Sequence, residues 1–473
     1  MKLSHTLTAT SAVFDDPNLV SAAGLVPTMA LAQRAGLGDL ADAHLSVPTD
    51  KGANAGLKVT SLVAGMVAGA DSIMALLRHG GMSRIFTRAY APSTLGSFLR
   101  AFTFGHVRQL DAVASRFLLA LSHLVGFVRP APQVTQGVED AVASGGFAFV
   151  DVDDTIIEVH GHAKQGAGFG YTRVRGLNAL LATLATDTAA PLVVAQRLRK
   201  GACGSPRGAQ RLVGDAVKQA RRLLGDEYPV LVRMDSAYYG RDAVHAAITG
   251  GAAVSVTVRL DPAVKTAIAT IDQDSWTTIK YPNAIFDEIE QRWVSDAEVA
   301  VVPFTAFTGR RKSEHVTCRL IVRRVKRLQR LASDGTEQGE LFVTYRHHAF
   351  ITNSTLGTVE ADQRHRDHAI VEQVIAELKD GPLAHLPSGK YAANAAWVAC
   401  AAIAFNIARA AAVAAGQTKA RWATLRTRVI NVPGRIATTG RRLVLHLPTH
   451  WPWATAWETL HAVATGPPQP ATT

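Results

Sequence analysis

The chain has few cysteines and few acidic residues for its size. Only three of its 473 residues are cysteines, Cys203, Cys318 and Cys400, and no two of them form a CxxC pair. An odd, scattered set of this kind argues against a disulfide framework and against a cysteine zinc site, and it fits a reducing cytoplasm. The 38 Asp and Glu are outnumbered by 50 Lys and Arg, which gives a formal net charge of +12. Such a basic protein is expected to bind a polyanion, with DNA or RNA ahead of an acidic protein.

Long uninterrupted apolar runs are also scarce. The first twenty residues have no sustained apolar segment behind Lys2 and make a poor signal peptide. Residues 392–415 are long and apolar, but they are rich in alanine and contain Asn394, Asn406 and Arg409, which are costly in lipid. We therefore predict a buried core helix there and no membrane partner.

The pattern of residues changes along the chain and divides it into five segments. Residues 1–140 have apolar residues at helical spacing and predict a helical N-terminal region. Residues 141–262 alternate between strand-like and helix-like runs, and residues 351–418 return to helix. Between them, residues 263–350 contain short β-like runs and polar loops, which predict an all-β insertion. Residues 419–473 form a C-terminal extension that begins with a strongly basic stretch.

Two predicted strands carry aspartates. The run FAFVDVDDTIIEV at 147–159 is β-branched and aromatic, as is typical of a strand. Because successive strand side chains alternate, Asp151 and Asp153 share one face, whereas Asp154 points to the other and is interpreted as solvated or capping. A second strand, Tyr228–Met234, runs directly into Asp235. An acid just beyond the end of a strand is a common catalytic position.

A predicted helix near residue 370 carries a further acid. His365, His368, Glu372 and Lys379 have offsets of 0, 3, 7 and 14, which place them on one stripe about 60° wide. Asp367 is a good N-cap and could leave His365 just outside the helix, in which case the other three still share the stripe. One carboxylate flanked by cationic groups suits a metal or phosphate site.

The three separated carboxylates predict a metal site. Carboxylates without cysteine or clustered histidine ligands prefer hard cations, so Asp153, Asp235 and Glu372 predict Mg²⁺ or Mn²⁺. Two such ions about 4 Å apart can catalyse phosphoryl transfer. Asp151 is an alternative ligand, because it lies on the same strand face as Asp153. Candidate phosphate contacts of the basic extension are Arg426, Arg428, Arg441 and Arg442.

The motifs DVDDT, VRMDSAYYG and HxxHxxxExxxxxxK together resemble those of bacterial insertion-sequence transposases of the DDE type, specifically the insertion-sequence thirteen-eighty family. The phrases VEQVIAELKDGPLAHLPSG and ANAAWVACAAIAFN extend the likeness, which covers residues 147–457. The resemblance implies an α/β fold with an RNase H-like catalytic core, in which helices flank a mixed sheet and a β-rich insertion precedes the helix with the Glu. It also favours Asp153 over Asp151, because Asp153 lies two residues before Thr155, as in the relatives' motif.

The resemblance further implies water attack at a transposon end, which frees a 3′-hydroxyl, followed by attack of that hydroxyl on target DNA. Asp153, Asp235 and Glu372 would hold two metal ions, and Lys379 would steer phosphate. His365 and His368 stand where relatives of the wider group have Tyr and Arg, and they are candidates for DNA contact. If the DNA is opened through a hairpin, Trp276 or Trp293 could receive an extruded base, although packing within the insertion is the plainer interpretation.

The expected partners are the terminal inverted repeats and target DNA, bound by a homodimer in a paired-end complex. By analogy, residues 1–140 would bind the repeats, although they carry no clear helix-turn-helix signature. The expected location is the bacterial cytoplasm, in association with the nucleoid. Two rival hypotheses remain open: a nuclease of the same fold that cuts DNA without joining it, and a relic transposase that binds DNA without catalysis.

Overall fold

The computed structural model describes residues 12–48, 50–74, 85–86, 89–126, 146–288, 292–326, 345–440 and 442–466. Its strands are β1 (Leu19–Val20), β2 (Ala148–Glu158), β3 (Gly168–Phe169), β4 (Arg175–Ala185), β5 (Leu192–Lys200), β6 (Val230–Met234), β7 (Ala253–Thr257), β8 (Thr277–Asp287), β9 (Arg292–Ala306), β10 (Val316–Lys326), β11 (Tyr345–Thr352), β12 (Gly434–Thr439) and β13 (Arg442–His446). Its helices are α1 (Leu25–Arg34), α2 (Leu37–His44), α3 (Ala55–Val67), α4 (Pro92–Arg100), α5 (Phe104–Leu124), α6 (Ala209–Leu224), α7 (Arg241–Thr249), α8 (Pro262–Ala269), α9 (Thr358–Arg366), α10 (Ile370–Lys379), α11 (Tyr391–Ala414), α12 (Trp422–Leu425) and α13 (Ala454–Thr465).

A ten-stranded mixed sheet forms the centre of the protein. Its strand order is β5–β4–β2–β6–β7–β11–β10–β9–β8, and the short β3 also pairs with the start of β4. The strands β2, β6 and β7 are mutually parallel, and the other pairs are antiparallel. The register of β2 on β6 places Val152 beside Met234, so that Asp153 and Asp235 are the next residues on two neighbouring strands.

The predicted insertion is mainly β-structure in its described part, but it is not entirely β. The segment opens with helix α8, so the prediction of an all-β segment is wrong at that point. A capping aspartate, Asp261, accepts a hydrogen bond from the Val264 amide at 2.9 Å and starts this helix. The strands that follow continue the main sheet, because β11 pairs with β7 and the remaining three strands pair in series beyond it.

Helix α11 lies at the centre of the hydrophobic core, as predicted. By length and composition it could cross a membrane, but 94% of its most apolar window is buried inside the protein. It packs against β5 and against the N-terminal helices α1, α3, α4 and α5. Its polar side chains are satisfied internally: Asn406 exchanges two hydrogen bonds with the Val193 backbone, at 2.9 and 2.8 Å, and Arg409 pairs with Glu377 at 2.8 Å.

The two ends of the chain join the same core. The described part of the N-terminal region is mainly helical, and its helix α1 packs against both α11 and the C-terminal α13. A small sheet adds to this contact, because β1 near the N-terminus pairs with β12, and β12 pairs with β13. The described parts of segments 1–140 and 419–473 therefore share one hydrophobic cluster with residues of the sheet.

His365 and Lys379 do not lie on one continuous helix, and His365 is outside the helix that carries Glu372, which is the alternative that the sequence left open. Helix α9 ends at Arg366, a 3₁₀ turn occupies Asp367–Ala369, and α10 begins only at Ile370. Asp367 makes no side-chain cap, since the residue that precedes α10 is Ala369. The two histidines contact different strands, since His365 lies against Ser255 and Thr257 of β7 and His368 against Asp151 of β2.

Candidate active site

Asp153 and Asp235 occupy neighbouring positions where β2 and β6 run side by side. Asp235 follows the last residue of β6, and its carboxylate accepts a hydrogen bond from the Ala237 amide at 3.0 Å. Asp153 Oδ1 accepts a hydrogen bond from the amide of Asp154 at 2.7 Å. Among the described residues, no Arg or Lys forms an ion pair with either carboxylate. Two half-buried acids therefore share one small region without a permanent positive charge.

Burial raises the pKa of Asp153 to about 6, because the ionised carboxylate is less well solvated in this half-buried position than in water. The hydrogen bond from the Asp154 amide and the nearby His368 oppose this effect, whereas the charge of Asp235 adds to it. Burial also raises the pKa of Asp235, again opposed by an amide and by His368. Burial thus disfavours the ionised form of both acids, and a bound cation would offset this cost.

Asp151, the alternative ligand, is fully buried and already paired. Arg233 donates to both of its oxygens, from Nε at 2.6 Å and from Nη2 at 2.7 Å. His368 Nδ1 lies 2.9 Å from Asp151 Oδ1 as a third partner. The guanidinium is held in turn by the carbonyl of Arg364 at 2.5 Å and by the ring of Phe149, whose centroid is 4.3 Å away. The carboxylate of Asp151 is therefore an internal counterion.

Helix α10 runs beside β2 in the same direction. In the turn just before α10, His368 contacts Asp151, and at the end of the helix Lys379 Nζ lies 3.4 Å from the carbonyl of Ile156 and 3.5 Å from Thr155 Oγ1. Eleven helical residues and five strand residues both advance about 16 Å, so the two contacts agree with a parallel alignment. Glu372 lies four residues beyond His368, about 6 Å along the helix, which is the level of Asp153 two residues beyond Asp151.

Glu372 is exposed, and it forms no ion pair with any described residue. Within the described part of the chain, no three His, Cys, Asp or Glu side chains come close enough to hold a metal ion. The structure therefore brings Asp153 and Asp235 together and leaves the Glu372 side chain on the facing helix, pointing into solvent.

His365 lies behind the site in an enclosed position. Its ring stacks on Phe350 with centroids 4.1 Å apart, and its two nitrogens lie 2.8 Å from Ser255 Oγ and 2.9 Å from Thr257 Oγ1. Burial holds the pKa of this imidazole well below its ordinary value, and the neighbouring His368 and Arg323 lower it further. His365 is therefore a neutral packing residue, with both nitrogens engaged.

The four arginines predicted to contact phosphate differ in their surroundings. Arg426 lies against the Trp422 ring and pairs with Asp380 at 2.9 Å. Arg428 is half-buried, with its guanidinium 5.3 Å from the centroid of the Trp453 ring. Arg442 begins β13 and is exposed, and Arg441 lies outside the described residues.

Asp154 does not fit its predicted role. It is buried on the other face of β2, where Arg199 Nη2 donates to its carboxylate, so the interpretation as solvated or capping is wrong. Arg199 also donates to Asn178 Oδ1, from Nε at 2.9 Å, and to backbone carbonyls after β5. Arg199 lies 45 residues from Asp154 on β5, two strands from β2, and no local pattern in the sequence predicts this ion pair.

The two tryptophans of the 263–350 segment have different environments. Trp276 lies against the guanidinium of Arg324, 4.0 Å from its ring centroid, in agreement with packing within the segment. Trp293 is 67% exposed on β9, with its ring centroid 5.4 Å from that of Phe286.

Comparison with known proteins gives one match. The family described as Transposase DDE domain group 1 matches residues 147–465, which include the whole ten-stranded sheet, both aspartates of the pair and α10. No curated protein matches the chain. Transposase DDE domains are associated with nuclease activity in transposition, act on DNA and generally use divalent metals. Because the match spans well over half of the sequence, the chain belongs to the family of DDE transposases.

Proposed function

We propose that the protein is a DNA transposase that cleaves DNA at the ends of an insertion sequence and then joins the freed 3′-hydroxyl to target DNA. Within the DDE transposases we assign it to the insertion-sequence thirteen-eighty family, on the motifs around Asp153, Asp235 and Glu372. The observation that carries the proposal is the unneutralised pair Asp153 and Asp235, which lies at the level of Glu372 on the helix beside it.

The topology of the sheet supports an RNase H-like core. Apart from the two-residue β3, the strands β2, β4 and β5 form an antiparallel series, and β6 and β7 then extend the sheet on the other side of β2 in parallel. The first aspartate lies on the first of these strands and the second follows the fourth, which is the order expected for this core. The strands β8–β11 and helix α8 would then be the insertion before the helix that carries Glu372.

The residues at the site fit divalent metal ions. Asp153 and Asp235 offer hard oxygen donors without a competing Arg or Lys among the described residues, and a bound cation would stabilise the ionised carboxylates that burial disfavours. Glu372 is exposed at the same level and is free to turn toward them. When bound, two Mg²⁺ or Mn²⁺ ions would activate the attacking oxygen and stabilise the leaving oxygen of the phosphodiester.

The chain's own residues would orient the DNA around this centre. Lys379 lies on the same stripe as Glu372, at the far end of α10, and would contact a phosphate near the scissile bond. The Asp151 contact occupies Nδ1 of His368, which leaves Nε2 for the DNA. Of the arginines, the exposed Arg442 and the half-buried Arg428 are the more available phosphate contacts, because Arg426 is paired with Asp380. His365 would support the site by packing.

The chemistry at paired ends calls for two catalytic centres, so we propose a homodimer that binds the terminal inverted repeats and the target DNA. The proposed location is the bacterial cytoplasm, in contact with the nucleoid. The net charge of +12 supports association with a polyanion.

Cleavage of duplex DNA that carries the element's own ends tests this function. Wild type in Mg²⁺ is expected to nick the ends and to join them to a target plasmid. Glu372→Ala is expected to lose both activities by at least about a hundredfold, because a metal ligand is removed. Asp367→Asn is the matched control, since this exposed acid lies five residues earlier and outside the proposed site.

Undiminished cleavage by Glu372→Ala would contradict the assignment. Cleavage without joining would instead identify the rival nuclease of the same fold. DNA binding without either activity, even in Mn²⁺, would identify a relic.

A further inference from the structure

A polar cavity of about 280 Å³ lies between α5 and α6, with β5 as its floor. It lies at the β5 edge of the sheet, two strands away from β2, which carries Asp153. The adjacent residues Gln196 and Arg197 both line the cavity and point to opposite faces of β5, so the cavity lies around this edge strand. This cavity is therefore separate from the candidate active site.

The lining of the cavity is strongly basic. Five cations face only two carboxylates, Asp111 and Asp215, and these cations are Arg108, Arg116, Arg197, Lys218 and Arg222. Asp215 is shared between Arg197, at 2.8 Å, and Arg108, at 3.4 Å, and Arg108 also reaches Asp111 at 2.9 Å. Both acids are thus already paired with the two inner arginines, Arg108 and Arg197.

The cations at the rim have no such partners. Arg116, Lys218 and Arg222 are exposed and form no ion pair with any described residue. At the floor, the Nε of Arg197 is buried, and within the described part of the chain it has no hydrogen-bond partner. An unpartnered buried donor is costly, and an acceptor from a ligand would satisfy it.

Electrostatics within the cavity agree with an excess of positive charge. Burial lowers the pKa of Arg197, and the neighbouring Arg108 and Arg211 lower it further, whereas Asp215 and Asp111 act in the opposite sense. Burial also raises the pKa of Asp111 to about 6. These cations repel one another, so the binding of an anion in the cavity would lower the electrostatic free energy of the cluster.

The groove above the cavity is long enough for more than one phosphate. The helices α5 and α6 run in the same direction, since Arg108 pairs with Asp215 at one end and Ser115 accepts from Arg222 Nη1, at 3.3 Å, seven residues further along. Seven helical residues advance about 10 Å, a length over which a DNA backbone presents more than one phosphate. Ser115 also contacts Gln219 across the groove, which fixes the spacing of the two helices.

We propose that the α5–α6 groove binds a DNA backbone, with one phosphate entering the cavity toward Arg197 and its neighbours contacting Arg116, Lys218 and Arg222. The proposal rests on the proposed function, because it takes DNA as the polyanion. Since the groove lies at the β5 edge, two strands from the one that carries Asp153, the segment held there would be a different stretch of DNA from the one at the acids. The groove would thus anchor DNA remote from the cleavage point.

The test is the salt dependence of DNA binding, measured by fluorescence anisotropy of a labelled duplex in EDTA. The combined variant Arg116→Gln, Lys218→Gln and Arg222→Gln is expected to lower the slope of log K against log [KCl] by about 2 to 3, from about 0.9 for each lost phosphate contact. A control variant removes three exposed lysines of the 263–350 segment instead, through Lys265→Gln, Lys280→Gln and Lys312→Gln.

Asp215→Asn provides a test of the opposite sign. Asp215 is 42% exposed, so its removal should leave the fold intact while adding one net positive charge to the groove. DNA binding is therefore expected to tighten severalfold. Thermal melting of each variant checks that the fold is retained.

A groove variant that binds with the wild-type slope overturns the proposal. An equal loss in the control variant also overturns it, because total charge and not the groove would then explain the effect. Binding is measured without metal, so this outcome is independent of the Glu372→Ala cleavage assay. If the groove variants bind DNA like wild type, the catalytic proposal is unaffected. If the cleavage assay fails, the measurement of DNA binding remains valid.

Discussion

Two consecutive aspartates of β2 have opposite environments, and the difference separates structure from function. Asp154 points to one face of the sheet, where it is buried and paired with Arg199. Asp153 points to the other face, where it is half-buried beside Asp235 and pairs with no Arg or Lys among the described residues. Asp151, two residues earlier on the Asp153 face, resembles Asp154, because Arg233 neutralises it.

Asp151 and Asp154 show that burial of an acid does not by itself identify a metal ligand. An acid that forms an ion pair with an arginine is already neutralised and stabilises the fold. A pair of acids without a cation is left with raised pKa values and gains free energy when a cation binds. If the two classes of acid differ in this way, substitutions within them should change stability in opposite directions.

The largest effect on stability is expected at Asp154. Asp154→Ala leaves the buried guanidinium of Arg199 without its counterion, and breaking a buried ion pair in this way costs about 3 to 5 kcal/mol. Urea denaturation at pH 7 measures the free energy of unfolding. A decrease of less than about 1 kcal/mol in the free energy of unfolding would mean that Asp154 contributes no more than an exposed acid.

Asp153→Asn is expected to have the opposite sign. The folded-state pKa of about 6 lies above the ordinary value of 3.8, so ionisation of Asp153 destabilises the folded state as pH rises between these values. The variant cannot ionise and should be more stable than wild type above pH 6, by about 1 to 2 kcal/mol, with no difference below about pH 4. Denaturation in EDTA across this pH range measures the effect, and a pH-independent difference would contradict ionisation of Asp153 as its cause.

The smallest effect on stability is expected at Glu372. This exposed carboxylate has no described ion pair, so Glu372→Gln should change the free energy of unfolding by less than about 0.5 kcal/mol. Cleavage of the element's ends should nevertheless be lost. Destabilisation by more than about 1 kcal/mol would assign Glu372 to the fold and weaken its role as a ligand.

Local patterns were sufficient for the elements that carry the aspartates. The β-branched run at 147–159 predicts β2, and the run that ends at Met234 predicts both β6 and the position of Asp235 beyond its end. Alternation along β2 also assigns Asp151 and Asp154 to different faces, as their separate arginines confirm. The apolar helix at 391–414 was likewise predictable, because the polar residues that interrupt it would be costly to bury in lipid.

Contacts between distant segments were not predictable from local patterns. The strand β4 has the sequence RGLNALLATLA, whose alanines and leucines favour helix, and it becomes a strand because it is buried on both faces between β2 and β5. The 3₁₀ turn at Asp367–Ala369 and the enclosure of His365 depend on Phe350, Ser255 and Thr257, which come from other strands. The groove between α5 and α6 also requires two segments about a hundred residues apart.

The most direct test of the central claim is the binding of Mn²⁺, measured by isothermal titration calorimetry at pH 7 with wild type and with Asp153→Asn. Wild type is expected to bind the metal, and the variant is expected to bind at least about tenfold more weakly while it remains folded, because one hard oxygen ligand is removed. Equal Mn²⁺ affinity in the two proteins would contradict the claim that the unneutralised acids of the sheet form the metal site.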